Sequence, residues 1–104
     1  MELEERIKEY LEYCKYRKEL DEKTLKAYRI DLRQFAMFVG DEYLKKERID
    51  KYITELHKKF KQKTIKRKIA SIRAFYACLE ERELLLIENP FRKIKVKFRE
   101  EKTL

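Results

Sequence analysis

Gly40 and Pro90 are the only glycine and proline in this chain, and that scarcity constrains the fold more than any motif does. Tight turns between strands draw on both residue types, so a sheet protein of 104 residues with one of each would lack its corners. Abundant Glu, Lys, Leu, Ile and Arg point to helix instead. The length suits one small domain with a real core, not two. An all-α bundle is expected.

Apolar residues recur at helical spacing in four segments. Leu3, Ile7, Tyr10, Leu11 and Cys14 form the first stripe, which runs out near Lys18. Asp21 is placed to cap a second helix, with Glu22 in its first turn where the helix dipole favours an acid. That helix presents Leu25, Tyr28, Leu32, Phe35, Ala36 and Val39, and Gly40 sits where a helix end favours positive φ. A connector from Asp41 to Lys46 leads to a third stripe of Ile49, Tyr52, Ile53 and Leu56, reaching towards Phe60. The fourth begins near Gln62, carries Ile65, Ile69, Ile72, Tyr76 and Leu79 with Phe75 at its edge, and is expected to persist to about Glu83. Ala70, Ala74 and Ala77 on its other side predict a second packed face and a central position. Asn89-Pro90 ends any helix. The tail from Lys93 to Phe98 alternates polar and apolar residues, but with no strand to pair with it reads as an extended basic linker. A helical domain over 1–90 and a linker from 91 to 104 follow. Sustained heptads are absent, which excludes a coiled coil.

The formal charge of +8 favours nucleic acid as partner over an anionic membrane. No apolar run spans a membrane, and the acidic N-terminus is no signal peptide, so a cytoplasmic protein is expected. Cys14 and Cys78 lack metal-ligand spacing and read as reduced thiols in or beside the core. His57, the sole histidine, lies in a solvated basic run. Without a glycine-rich phosphate loop or paired carboxylates, no cofactor, metal or catalytic residue is assigned, and the chain reads as non-catalytic.

Charge is distributed unevenly. From Leu56 to Leu79 there is no Asp or Glu, while Lys58, Lys59, Lys61, Lys63, Lys66, Arg67, Lys68 and Arg73 all fall inside. Lys58 and Lys59 close the third helix, where cations suit the dipole. Lys61 and Lys63 open the fourth, where each cation costs about 0.3–1 kcal/mol, and lysine is a poor N-cap. Such a locally unfavourable choice marks a functional position, and a DNA phosphate would relieve it by accepting helix N–H groups and pairing with the lysines. Thr64, Arg67 and Ser71 share a polar sector, flanked by Lys63 and Lys68, able to reach phosphates or base edges. Lys23, Thr24 and Lys26 decorate the start of the second helix in the same way.

Two motifs bring a family into view. Lys23-Thr24-Leu25-x-Ala27-Tyr28-x-x-Asp31-Leu32-x-x-Phe35 resembles the second-helix motif of the core-binding domain of tyrosine recombinases (phage integrases). Thr64-Ile65-x-Arg67-Lys68-Ile69-Ala70-Ser71-Ile72-Arg73-Ala74-Phe75-Tyr76-x-x-Leu79 resembles its fourth-helix motif, and Asn89-Pro90 matches the turn that follows. Ile49-x-x-Tyr52-Ile53-x-x-Leu56 fits the weaker third-helix pattern. The resemblance implies a SAM-like bundle of four or five helices forming half of a clamp on double-stranded DNA at a recombination half-site. A separate C-terminal catalytic domain would carry the nucleophilic tyrosine, so none of the seven tyrosines here is given that role. Implied partners are DNA, that catalytic domain and other recombinase protomers, with this domain alone monomeric and working at the nucleoid.

Family contacts carried across fall on Lys23, Thr24, Lys26, Lys63, Thr64, Arg67 and Lys68. Arg73 matches a family position that serves packing or a phosphate. Lys61 and Ser71 join the candidate set from the charge and face arguments above. The family usually has Gly and Ser ahead of these helices, where this chain has Glu19 and Asp21, then Lys59 and Lys61; Glu83 stands where a glycine often ends the fourth. Two other readings fit the basic face: a free-standing helix-turn-helix regulator, which would be a stable dimer, and a helical module that binds an acidic protein.

Overall fold

The structure is a computed structural model, described for residues 3–96. Lys97 and Phe98 of the predicted tail, and the rest of the chain to Leu104, lie outside the described residues. Four helices run α1 Leu3–Tyr16, α2 Glu22–Val39, α3 Lys46–Lys59 and α4 Gln62–Glu81, with 3-10 turns at Gly40–Glu42 and Pro90–Lys93. No strand occurs among the described residues. The all-α expectation holds, and the four predicted stripes face the core, with Leu11, Tyr28 and Ala36 half-buried and Phe60, at the end of the third, exposed.

Local chemistry sets the helix ends. Asp21 is the N-cap of α2, its Oδ1 accepting the Thr24 backbone N–H at 2.7 Å. Gly40 ends α2 at φ 53°, a conformation in which a side chain would be strained. Helix α4 closes two residues earlier than predicted, at Glu81. Glu83 then turns to φ 58°, and the Leu84 N–H reaches back to the Leu79 carbonyl at 2.8 Å, a Schellman closure. Glu19, ahead of α2, also has positive φ, at 52°. Both glutamates thus occupy backbone conformations that glycine adopts without steric cost.

One core joins all four helices. Leu32, Phe35, Ile49, Ile72, Phe75, Tyr76 and Cys14 are completely buried. Their rings meet edge to face, Phe35 against Tyr52 at 5.2 Å and Phe75 against Tyr10 at 5.3 Å between centroids. The Tyr76 hydroxyl donates to the Tyr43 carbonyl, tying α4 to the connector before α3. Burial raises the Tyr76 phenol well above its ordinary pKa, so that hydroxyl keeps its proton and its donor role.

Helix α4 is central, but not as its alanines predicted. Ala70 and Ala77 are exposed and Ala74 is only half-buried. The second buried side instead carries Lys68, Ser71, Phe75 and Cys78. Packing also continues past the predicted stop at Pro90. Phe91 and Ile94 enter the core, and Arg92 grips Glu80 of α4 through Nε–Oε2 (2.7 Å) and Nη2–Oε1 (2.5 Å). Within the described residues, the segment predicted as linker begins as a docked turn.

Candidate nucleic-acid interface

The two helix starts share a backbone geometry and a Lys-Thr pair, Lys23-Thr24 and Lys63-Thr64, and differ at the cap and the residue after it. At α2 the cap residue has φ −71° and ψ 163°; at α4 the values are −75° and 155°. Asp21 fills its cap, and the Thr24 N–H holds its carboxyl below the ordinary 3.8. Lys61 makes no side-chain cap bond, and the first turn of α4 contains no acid. Its leading N–H groups, which no helical carbonyl can reach, therefore lack a side-chain acceptor at the cap.

Around the α4 start, Lys61 and Lys63 are exposed and Thr64 is half-buried. Arg67, one turn on from Lys63, leaves 56% of its side chain in solvent. At α2, Lys23 and Lys26 are exposed and Thr24 half-buried, its backbone N–H committed to Asp21.

Two members of the predicted polar sector are not on the surface. Lys68 is only 3% exposed and Ser71 only 2%. Both turn inward to Asp31 of α2, whose own exposure is zero. Lys68 Nζ donates to Asp31 Oδ1 at 3.1 Å and to Gln34 Oε1 at 2.5 Å; Ser71 Oγ donates to Asp31 Oδ2 at 2.9 Å. Arg67 Nη2 also reaches Asp31 Oδ1, at 3.2 Å. Placing Lys68 and Ser71 on an exposed face is therefore corrected. A lysine enters the interior only with a compensating charge, and that charge lies 37 residues away in sequence.

The sequence marks Asp31 only as a motif position, with no role assigned, and does not mark Gln34. The available signal was an acid on the apolar stripe, between Tyr28 and Leu32, where charge is retained only with a partner. Arg73 sits apart from this group, about 120° round the helix from Arg67. Its guanidinium lies 5.5 Å from the Phe91 ring centroid, on the side where the Pro90–Lys93 turn docks. The structure thus gathers Arg67, Lys68 and Ser71 around one carboxylate. Among the described residues, no hydrogen bond or ion pair links Lys23, Thr24 or Lys26 to them.

The described residues contain no cluster of three or more His, Cys, Asp or Glu able to hold a metal ion. None of their helices is long and apolar enough to cross a membrane. Cys14 and Cys78 are both buried and unbridged.

Comparison with known proteins fits this bundle. The phage integrase N-terminal SAM-like domain family matches residues 7–83. A tyrosine recombinase of Agathobacter rectalis is 48% identical over 101 residues, covering 94% of this chain and 33% of that protein. The tyrosine recombinase XerC of Listeria innocua is 38% identical over 91 residues, covering 81% of this chain and 30% of its own length. This chain therefore spans about a third of the length of the curated relatives it matches. No solved structure matches it significantly. With the family match running from within α1 to the positive-φ turn after α4, this chain belongs to the phage integrase N-terminal SAM-like domain family.

Proposed function

We propose that this chain is a DNA-gripping domain that holds duplex DNA at a recombination half-site, leaving strand cleavage and rejoining to a catalytic region elsewhere in a longer recombinase. The observation that carries this reading is the start of α4, which is uncapped, free of acid and flanked by exposed Lys61 and Lys63 with Arg67 one turn on. A phosphate group supplies what that start lacks, an acceptor for helix N–H groups and a counter-charge for the lysines. The start of α2 adds Lys23 and Lys26 as a second phosphate-facing pair. Such a protein works at the nucleoid, beside further recombinase protomers.

Lysine–phosphate contacts give affinity with little sequence information and a steep dependence on salt. Titrating fluorescent duplex over a salt series tests this reading. Three to five neutralised phosphates predict a slope of log affinity against log salt of roughly −3 to −4.5. Absence of binding at low salt, or binding indifferent to salt, would overturn it.

A further inference from the structure

The carboxylate of Asp31 does more than neutralise a buried lysine. Its Oδ1 takes Lys68 Nζ at 3.1 Å and Arg67 Nη2 at 3.2 Å, while Oδ2 takes Ser71 Oγ at 2.9 Å. Lys68 is completed by Gln34, and its ammonium lies 5.0 Å from the Phe60 ring centroid. Asp31 and Lys68 thus form a buried pair that stays satisfied whatever Arg67 does. Arg67 alone of the three donors has most of its side chain in solvent. Its guanidinium is held from beneath by one Nη2 hydrogen, which leaves four N–H groups. Whichever Nη2 hydrogen is used, one complete two-donor edge remains.

The surface lysines have no such support. Lys61 and Lys63 are exposed at the cap and first turn of α4. A flexible ammonium suits a phosphate as a point charge, whereas a fixed planar fork suits a pair of acceptors at set spacing. In duplex DNA that pair is the O6 and N7 edge of guanine in the major groove. Holding the fork in advance lowers the ordering cost of making that contact.

Resting on the DNA-binding reading above, we infer that Arg67 is a base-reading residue that takes a guanine edge, and that Asp31 is the positioning residue that presents it, while Lys61 and Lys63 take phosphates. The charge of Arg67 serves affinity, and its held geometry serves specificity. A positioned fork makes these two separable.

Selection from a randomised duplex pool, followed by affinity measurements on the enriched and bulk duplexes, tests the division. The unmodified chain should enrich a fixed guanine. Arg67→Lys keeps the charge and loses the fork, so discrimination at that base pair should fall by roughly 5- to 150-fold, a larger loss than in bulk-duplex affinity. Lys63→Ala should instead weaken all duplexes alike and make the salt slope shallower by about 1. Asp31→Asn combined with Lys68→Met leaves no buried cation unpaired. With helicity retained by circular dichroism, this variant should lose discrimination several-fold more than bulk affinity. Duplex binding without base preference overturns the inference alone, as does an Arg67→Lys variant that enriches the same guanine. Failure to bind any duplex removes the underlying reading as well.

Discussion

The starts of α2 and α4 present the same extended cap backbone, yet one is self-sufficient and the other is left open. At α2, Asp21 accepts the Thr24 N–H and Glu22 adds an acid to the first turn. At α4, the Lys61 side chain makes no cap bond and the first turn holds no acid. A chain under selection for stability alone has an easy remedy at position 61, since serine, aspartate or asparagine would cap it. The contrast teaches that the two ends answer different demands. The α2 start meets its needs from within, while the α4 start lacks a side-chain acceptor, which is the feature the proposed phosphate contact rests on.

The largest expected effect comes from cutting what joins the two helices. Asp31→Ala would leave Lys68 buried without its carboxylate and should destabilise the fold by about 3–5 kcal/mol, read from chemical denaturation. A loss below about 1 kcal/mol would show that the network is incidental. Exchanging the caps has a smaller effect and tests the comparison directly. Lys61→Ser should raise stability by about 0.5–1 kcal/mol while weakening duplex binding. Asp21→Ala should lower Tm by several degrees. Equal responses at both starts would break the contrast.

The smallest effect is local and set by pH. Because the folded-state pKa of Asp21 is lowered, its contribution is complete above the ordinary carboxyl value of 3.8. It disappears as pH falls through the lower folded value. The Thr24 amide resonance should therefore titrate below pH 3.8, while the Thr64 amide, three residues beyond a lysine, shows no such step.

How much of this the sequence discloses depends on how far apart the interacting residues lie. Asp21 and its Thr24 partner are three residues apart, so that helix start was legible. The positive φ of Gly40 was legible for the same reason, because glycine is the residue that reaches it at little cost. Lys68 and Ser71 were not. On a helical wheel Ser71 falls within a polar sector and Lys68 at its edge, and only a carboxylate brought from another helix turns them inward. The alanines of α4 misled in the opposite direction. Small residues permit close approach without requiring it, and Ala70 and Ala77 stay exposed. The docked turn at Pro90–Lys93 escaped a reading based on period, because a single aromatic anchor, Phe91, has no periodicity to detect.

That anchor has a consequence for reach. If the chain were free from the end of α4, the thirteen residues from Arg82 to Ile94 could pay out roughly 45 Å of slack. With Phe91 and Ile94 seated in the core and Arg92 clasping Glu80, that length is reeled in. Whatever continues beyond residue 96 is tethered from a defined point on the bundle. Its effective concentration at a nearby surface is then set by a much shorter leash than the sequence alone implies.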